Sequence, residues 1–272
     1  LFAAGMFVQT LNRLHSVELG YARENVLLFT LNARQAGHRD PEIANFYLDL
    51  RRRLEAIPGV SSASLAHASI ISAGHAGKTY RGPVRIGSVA VEGARVISAG
   101  PRFHTTMQIP MLMGREIDDR DRPGSPAVAV ISERLARTYF GSEKPVGRRI
   151  TFAGENRDLE IVGVSGNLRG RLKDESPMVV FAAASQSPQE GMTYALRTAG
   201  DPMGYVQSVR AIVGQADAAI PLTNVVTQAA EIDRTISREI MFARLCTGFA
   251  ALALLMACVG LYGTMSYGVE RQ

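Results

Sequence analysis

The sequence predicts an α+β protein: a split βαβ (ferredoxin-like) unit, interrupted by an inserted β-rich subdomain and followed by a transmembrane helix. Three observations predict it. Two strand-helix-strand stretches resemble each other at opposite ends of the polar part of the chain. The residues between them read as short strands and turns, and the polar part gives way to a long uncharged apolar run.

The first unit runs from NVLLFTLNA through DPEIANFYLDLRRRLEAIPG to VSSASLAHASII. Asp40 reads as an N-cap with Pro41 at the first helical position, where its missing N–H is no loss. Ile43, Phe46, Tyr47, Leu50, Leu54 and Ile57 recur on one helical face, and Pro58-Gly59 stops the helix. The second unit runs from MTYALRT through DPMGYVQSVRAIVGQADAAIP to LTNVVT. Asp201-Pro202 opens its helix, Tyr205, Val209, Ile212 and Ala216 form one face, and Pro221 ends it. Two such units make a four-stranded sheet with two helices on one face.

Between them AVAVI (127–131) reads as a strand before the helix SERLARTYF, capped by Ser132 and stopped by Gly141. RRITFAG and LEIVGVSG read as a hairpin around Glu155–Asp158, and MVVFAAA as a further strand. The expected division is residues 21–71 with 184–226 for the split unit and 72–183 for the insertion. Residues 1–20 read as the end of a membrane helix with its juxtamembrane segment, and 227–272 as a juxtamembrane and transmembrane helix.

From Leu245 to Val269 there is no Asp, Glu, Lys, Arg or His. A helix of that length spans the roughly 30 Å hydrocarbon layer at about 1.5 Å per residue. Its small residues Ala253, Ala257, Gly260, Thr264 and Gly268 recur at spacings of four and three, a face that lets another membrane helix approach closely. Leu252, Leu255, Met256 and Val259 fall elsewhere and suit lipid. At the other end LFAAGMFVQTLNRLHSVELGY starts inside an apolar run with no basic segment before it, as the last turns of a membrane helix would, and not as a signal peptide. The chain thus reads as a fragment between two spans. TQAAEIDRTISREIMFARL carries Ile232, Ile236 and Ile240 on one face and runs without Pro or Gly into the apolar segment, as a rigid lever or a passive stalk would.

Several chemistries are set aside. SAGHAGKTY (72–80) has Gly77, Lys78 and Thr79 of a phosphate-binding loop, but Ser72 stands where its first Gly belongs, and Gly82-Pro83 breaks the helix the loop would need. The formal charge of +5 comes from scattered Arg, since Lys occurs only at 78, 144 and 173; with no Trp and no basic run, no nucleic-acid partner is expected. Cys246 and Cys258 both lie in the apolar segment, which excludes a disulfide framework from the polar part. No nucleophile-base arrangement is present, so no enzymatic activity and no cofactor are expected. His67 and His75 bracket a strand end without a third ligand. REIDDRD (115–121) gathers Glu116, Asp118, Asp119 and Asp121 like a calcium loop, but interleaved arginines make it a salt-bridged turn.

FHTTMQIPMLMGREIDDRD (103–121), VAVISERLARTYFGSEKPVGRRI (128–150), LEIVGVSGNLRGRLKDESPMVVFAAASQ (159–186) and FARLCTGFAALALLMACVGLYGTMSYGVERQ (242–272) together resemble a known family. They are similar to the MacB-like extracytoplasmic core and first following span of FtsX-type ABC transporter permeases, with the acidobacterial duplicated group closest in pattern. Asn167 departs from the family pattern, which usually has Asp there. The resemblance implies a porter-type split subdomain on the periplasmic side of the bacterial inner (cytoplasmic) membrane. It implies as partners a separate ABC ATPase subunit, other permease helices or a second permease copy, and the lipid bilayer. It implies export or mechanotransmission driven by that ATPase, and it tips the helix before the membrane toward a lever. A membrane-anchored sensor or scaffold, binding a ligand or a cell-wall enzyme, is the alternative.

Overall fold

Strand β1 (Val26–Asn32) is an apolar run buried along most of its length, and its outer residues leave no doubt about register: Val26 to Asn32 pair antiparallel with β11 (Gly191–Thr198) from Arg197 to Gly191. The computed structural model describes residues 20–39, 42–67, 84–152, 157–168, 176–186, 191–234 and 256. The chain falls into two compact units, Leu1–Ala229 and Ala230–Gln272, and the sheet lies in the first. Asp40, Pro41, His75, the segment 72–80 and the five small residues from Ala253 to Gly268 lie outside the described residues.

The remaining strands are β2 (Val60–Ala66), β3 (Val84–Ile86), β4 (Val89–Val91), β5 (Arg95–Ala99), β6 (Met111–Gly114), β7 (Val128–Ser132), β8 (Arg149–Phe152), β9 (Arg157–Ser165), β10 (Val179–Ala183) and β12 (Thr223–Thr227). Helices are α1 (Glu42–Glu55), α2 (Phe103–Met107), α3 (Glu133–Phe140) and α4 (Val206–Ala216). The strands form one mixed sheet in the order β12-β1-β11-β2-β5-β10-β7-β9-β8-β3-β4, with β6 also on β9. Strands β12, β1, β11 and β2 each run antiparallel to their neighbours, the order produced by two interleaved strand-helix-strand units.

Two cores lie along this sheet. In the first, Leu27, Phe29 and Leu31 of β1 and Tyr194 and Leu196 of β11 meet Ile43, Tyr47, Leu50 and Leu54 of α1 and Val209 and Val213 of α4. Phe46 and Ile212, expected on the buried faces, are only partly buried and rim the core. In the second, Leu135 of α3 packs with Ala129, Ile131, Ile150, Leu159, Ile161 and Val180. The strands of the expected insertion pair into the same sheet as those of the split unit. The two halves join where β2 meets β5 at one antiparallel rung, Ala66 opposite Ala99. Strands as short as β3 and β4 carry too few alternations for a sequence pattern to show which neighbours they take.

Asp201 caps as expected, its carboxylate accepting the Met203 amide at 3.1 Å. Ser132 does not. Its hydroxyl accepts the Val179 amide at 3.0 Å, because the strand running into α3 is paired with β10 and draws the hydroxyl sideways. The α3 cap comes from Asn167, whose Oδ1 accepts the Arg134 amide at 2.8 Å. Among the described residues no helix is long and apolar enough to cross a membrane.

Candidate functional site

The site is a seam of charge between α1 and the segment that follows β5. On α1, Arg51 lies one turn from Tyr47 and one from Leu54, inside the apolar stripe, so helical geometry carries its guanidinium into the interior. Its side chain is 1% exposed. A charge so placed is tolerable only with partners. Nη2 donates to both carboxylate oxygens of Asp119, at 2.8 and 3.1 Å. Nη1 donates to Glu55, one turn on, at 2.9 Å, and lies 3.5 Å from the Ala63 carbonyl on the edge of β2. The other oxygen of Glu55 accepts from Arg102 Nη1 at 2.7 Å. The result is an alternating chain, Asp119, Arg51, Glu55, Arg102, with the exposed Arg52 adding a looser contact to Asp119 at 3.5 Å.

Arg102 owes its position to the backbone. It sits in the left-handed region (φ 59°) at the start of α2, and its amide donates to the Ile117 carbonyl at 2.9 Å. That bond brings the turn beginning at Asp118 alongside. Within the turn Asp121, 4% exposed, is gripped by both Nη atoms of Arg115 at 2.8 Å and accepts the Asp118 amide at 2.9 Å. The hydrogen bond it donates to Asp121 is the main reason the Arg115 guanidinium holds its proton more tightly than usual. Burial works against the charge on Asp118, but hydrogen bonds from the Arg120 side chain and amide, with Arg115 nearby, outweigh it and hold that carboxyl below the ordinary range. The hydroxyl of Ser185 donates to the Asp121 carbonyl, tying the turn to the end of β10.

REIDDRD is therefore a salt-bridged turn, as its interleaved arginines imply, and Asp119 projects from it into the seam. Its aspartates are engaged by guanidinium groups. Among the described residues no group of three or more His, Cys, Asp or Glu side chains is placed to hold a metal ion. His67 is committed to the sheet junction, its Nδ1 accepting the Ser98 amide at 2.9 Å. The seam offers neither a nucleophile nor a base aimed at open space. What it can do is fasten two parts of the fold through charges that water and salt can loosen. Sequence reasoning passed over Arg51; the signal was an arginine inside an otherwise apolar helical stripe.

Residues 1–232 match the MacB-like periplasmic core domain family. This chain belongs to that family. Family membership makes it the extracytoplasmic domain of an ABC-type transporter permease, part of a membrane protein. The fold of the MacB-like domain is shared with the periplasmic region of MacB from Actinobacillus actinomycetemcomitans, at 15% identity and a TM-score of 0.53, covering 83% of this chain and 98% of that one. Also similar are the extracellular domain of the noncanonic ABC-type transporter YknZ from Gram-positive bacteria (13% identity, TM-score 0.48, 73% and 100% coverage) and a domain of a permease protein from Porphyromonas gingivalis (16%, 0.45, 75% and 91%). No curated protein matches.

Proposed function

We propose that this MacB-like domain belongs to a permease subunit of the bacterial cytoplasmic membrane that works with a separate ABC ATPase, in export or in transmitting motion to the periplasmic side. The observation that carries the reading is the family match over residues 1–232, followed by the uncharged stretch from Leu245 to Val269. In this reading residues 245–269 cross the bilayer, and Ala253, Ala257, Gly260, Thr264 and Gly268 face neighbouring permease helices or a second copy. Residues 21–71 with 184–226 act as the porter-type subdomain, residues 72–183 as the insertion, and the stretch before residue 245 as a lever between domain and membrane. The subunit itself performs no catalysis.

The test is purification of the full-length protein from native membranes in mild detergent, with mass spectrometry of what accompanies it and an ATPase assay. A co-purifying nucleotide-binding subunit whose hydrolysis depends on this chain is the expected result. Recovery with a cell-wall enzyme or signalling protein and no ATPase would move the protein to the sensor or scaffold class.

A further inference from the structure

The two halves of the sheet are joined at a place that is weak by construction. Strands β2 and β5 share the rung between Ala66 and Ala99, flanked by the hydrogen bonds His67 N–H to Ser98 at 3.0 Å and Gly100 N–H to Leu65 at 2.7 Å. A Cβ at Gly100 would press on the Leu65 side chain. Beyond that rung β2 continues for six residues toward Val60 without pairing further with β5. On the face away from α1, α2 closes the gap: Arg197 on β11 donates to the Thr106 carbonyl at 2.8 Å, and the Phe103 and His104 rings pack on Phe181 of β10. On the α1 face the gap is closed by the ion-pair chain, beside Ala184, which follows β10 and sits in the first core with Tyr47 and Leu65.

We propose that Asp119, Arg51, Glu55 and Arg102 form a releasable clasp, and that the two halves of the domain swing about the Ala66–Ala99 rung when it opens. The arrangement of exposure supports release. The two groups that would leave α1, Asp119 and Arg102, are 41% and 43% exposed, so water can take them over. They have opposite charge, and the Arg51–Glu55 pair left on α1 is neutral; Arg52, which also lies 3.5 Å from Asp119, is 54% exposed and returns to water. Arg51, 1% exposed, keeps Glu55 on its own helix, so no buried charge is stranded. The closed and open arrangements are each internally compensated, as a two-state element requires.

The proposal does not depend on an ATPase partner, so its test stands whatever the purification above returns. The full chain, with Cys246→Ala and Cys258→Ala, takes nitroxide labels at Asn45→Cys on α1 and Thr138→Cys on α3, both exposed and on different halves. Pulsed electron-electron resonance then reads the distance distribution in the parent, in Asp119→Asn and in Arg102→Gln, with circular dichroism to confirm folding. A longer mean and a broader distribution in either folded variant, reproduced in the parent by molar potassium chloride, is the expected result. Should Asp119→Asn fail to fold, Arg102→Gln, altered at a half-exposed rim position, decides alone. A parent-like distribution in every folded variant overturns the clasp.

Discussion

Asn167 and Glu133 are joined side chain to side chain, Nδ2 of the amide donating to Oε2 of the carboxylate at 2.8 Å, while Oδ1 of the same amide caps α3 through the Arg134 N–H. One residue thus satisfies an orphan donor of the first helical turn and the acidic side chain placed there by the helix dipole. The arrangement needs both ends of a carboxamide. An aspartate at this position could cap but would confront Glu133 with a second negative charge.

Asn167→Ala is therefore expected to cost about 1 kcal/mol, the loss of a helix cap. Asn167→Asp should retain the cap yet lose stability at neutral pH, and recover it as pH falls through the ordinary carboxylate range and the repulsion is titrated away. Urea unfolding at pH 7 and pH 4 checks both; equal loss in Asn167→Asp at the two pH values would contradict the role given to Nδ2.

A second expectation concerns acid. His104 on α2 is fully buried against Phe103 and Phe181, and neither ring nitrogen has a hydrogen-bond partner among the described residues. Desolvation pushes its pKa down to about 3. The folded value lies below the ordinary 6.5, so the unfolded chain binds the proton more readily. Stability is full above pH 6.5 and drains as pH falls toward 3, by about 2 kcal/mol between pH 7.5 and 5. His104→Leu should flatten that slope, read as the difference in urea midpoints between parent and variant at the two pH values. Parallel slopes would show that the imidazole finds a partner in solution.

The sheet also constrains backbone approach. Gly163 on β9 lies against the Arg115 carbonyl, and Gly114 on β6 against the Val162 carbonyl, so neither strand has room for a Cβ at the crossing. Gly114 also has φ of 68°, which a side chain resists. Gly163→Ala should push β6 off β9 and cost about 1 to 3 kcal/mol. Because β6 leads into Arg115 and the seam turn, amides from Met111 to Arg115 should exchange faster in hydrogen-exchange measurements, more than those of β1.

What was legible in advance follows from pattern length. The helices α1 and α4 span three or more turns, so their apolar stripes could be read; Pro58-Gly59 marked the end of α1, and Asp201-Pro202 the start of the helical stretch that becomes α4 after a 3-10 turn over Pro202–Tyr205. Strand β1 was read from its apolar run, and β11 as the opening strand of the second strand-helix-strand unit. The continuity of the sheet was not legible, because a single rung at Ala66–Ala99 leaves no periodic mark. Nor was the α3 cap: Asn167 lies 33 residues beyond Arg134 in sequence, and capping rules look only to neighbours. The same limit hid the seam, whose partners Arg51 and Asp119 are 68 residues apart. REIDDRD announced the turn by its composition, but not where Asp119 would point.

The last prediction belongs to residues 245–269. If they cross the membrane and pack through the small-residue face, replacing Gly260 or Thr264 with Leu inserts a branched side chain where another helix's backbone should approach, and association should weaken. The outer domain owes its fold to the two cores described above, so its thermal transition should not move. Site-directed crosslinking in native membranes reads the first effect, and calorimetry of the detergent-solubilised full chain reads the second. Loss of crosslinking with an unchanged transition supports the packed face; unchanged crosslinking in both variants means that Gly260 and Thr264 face lipid.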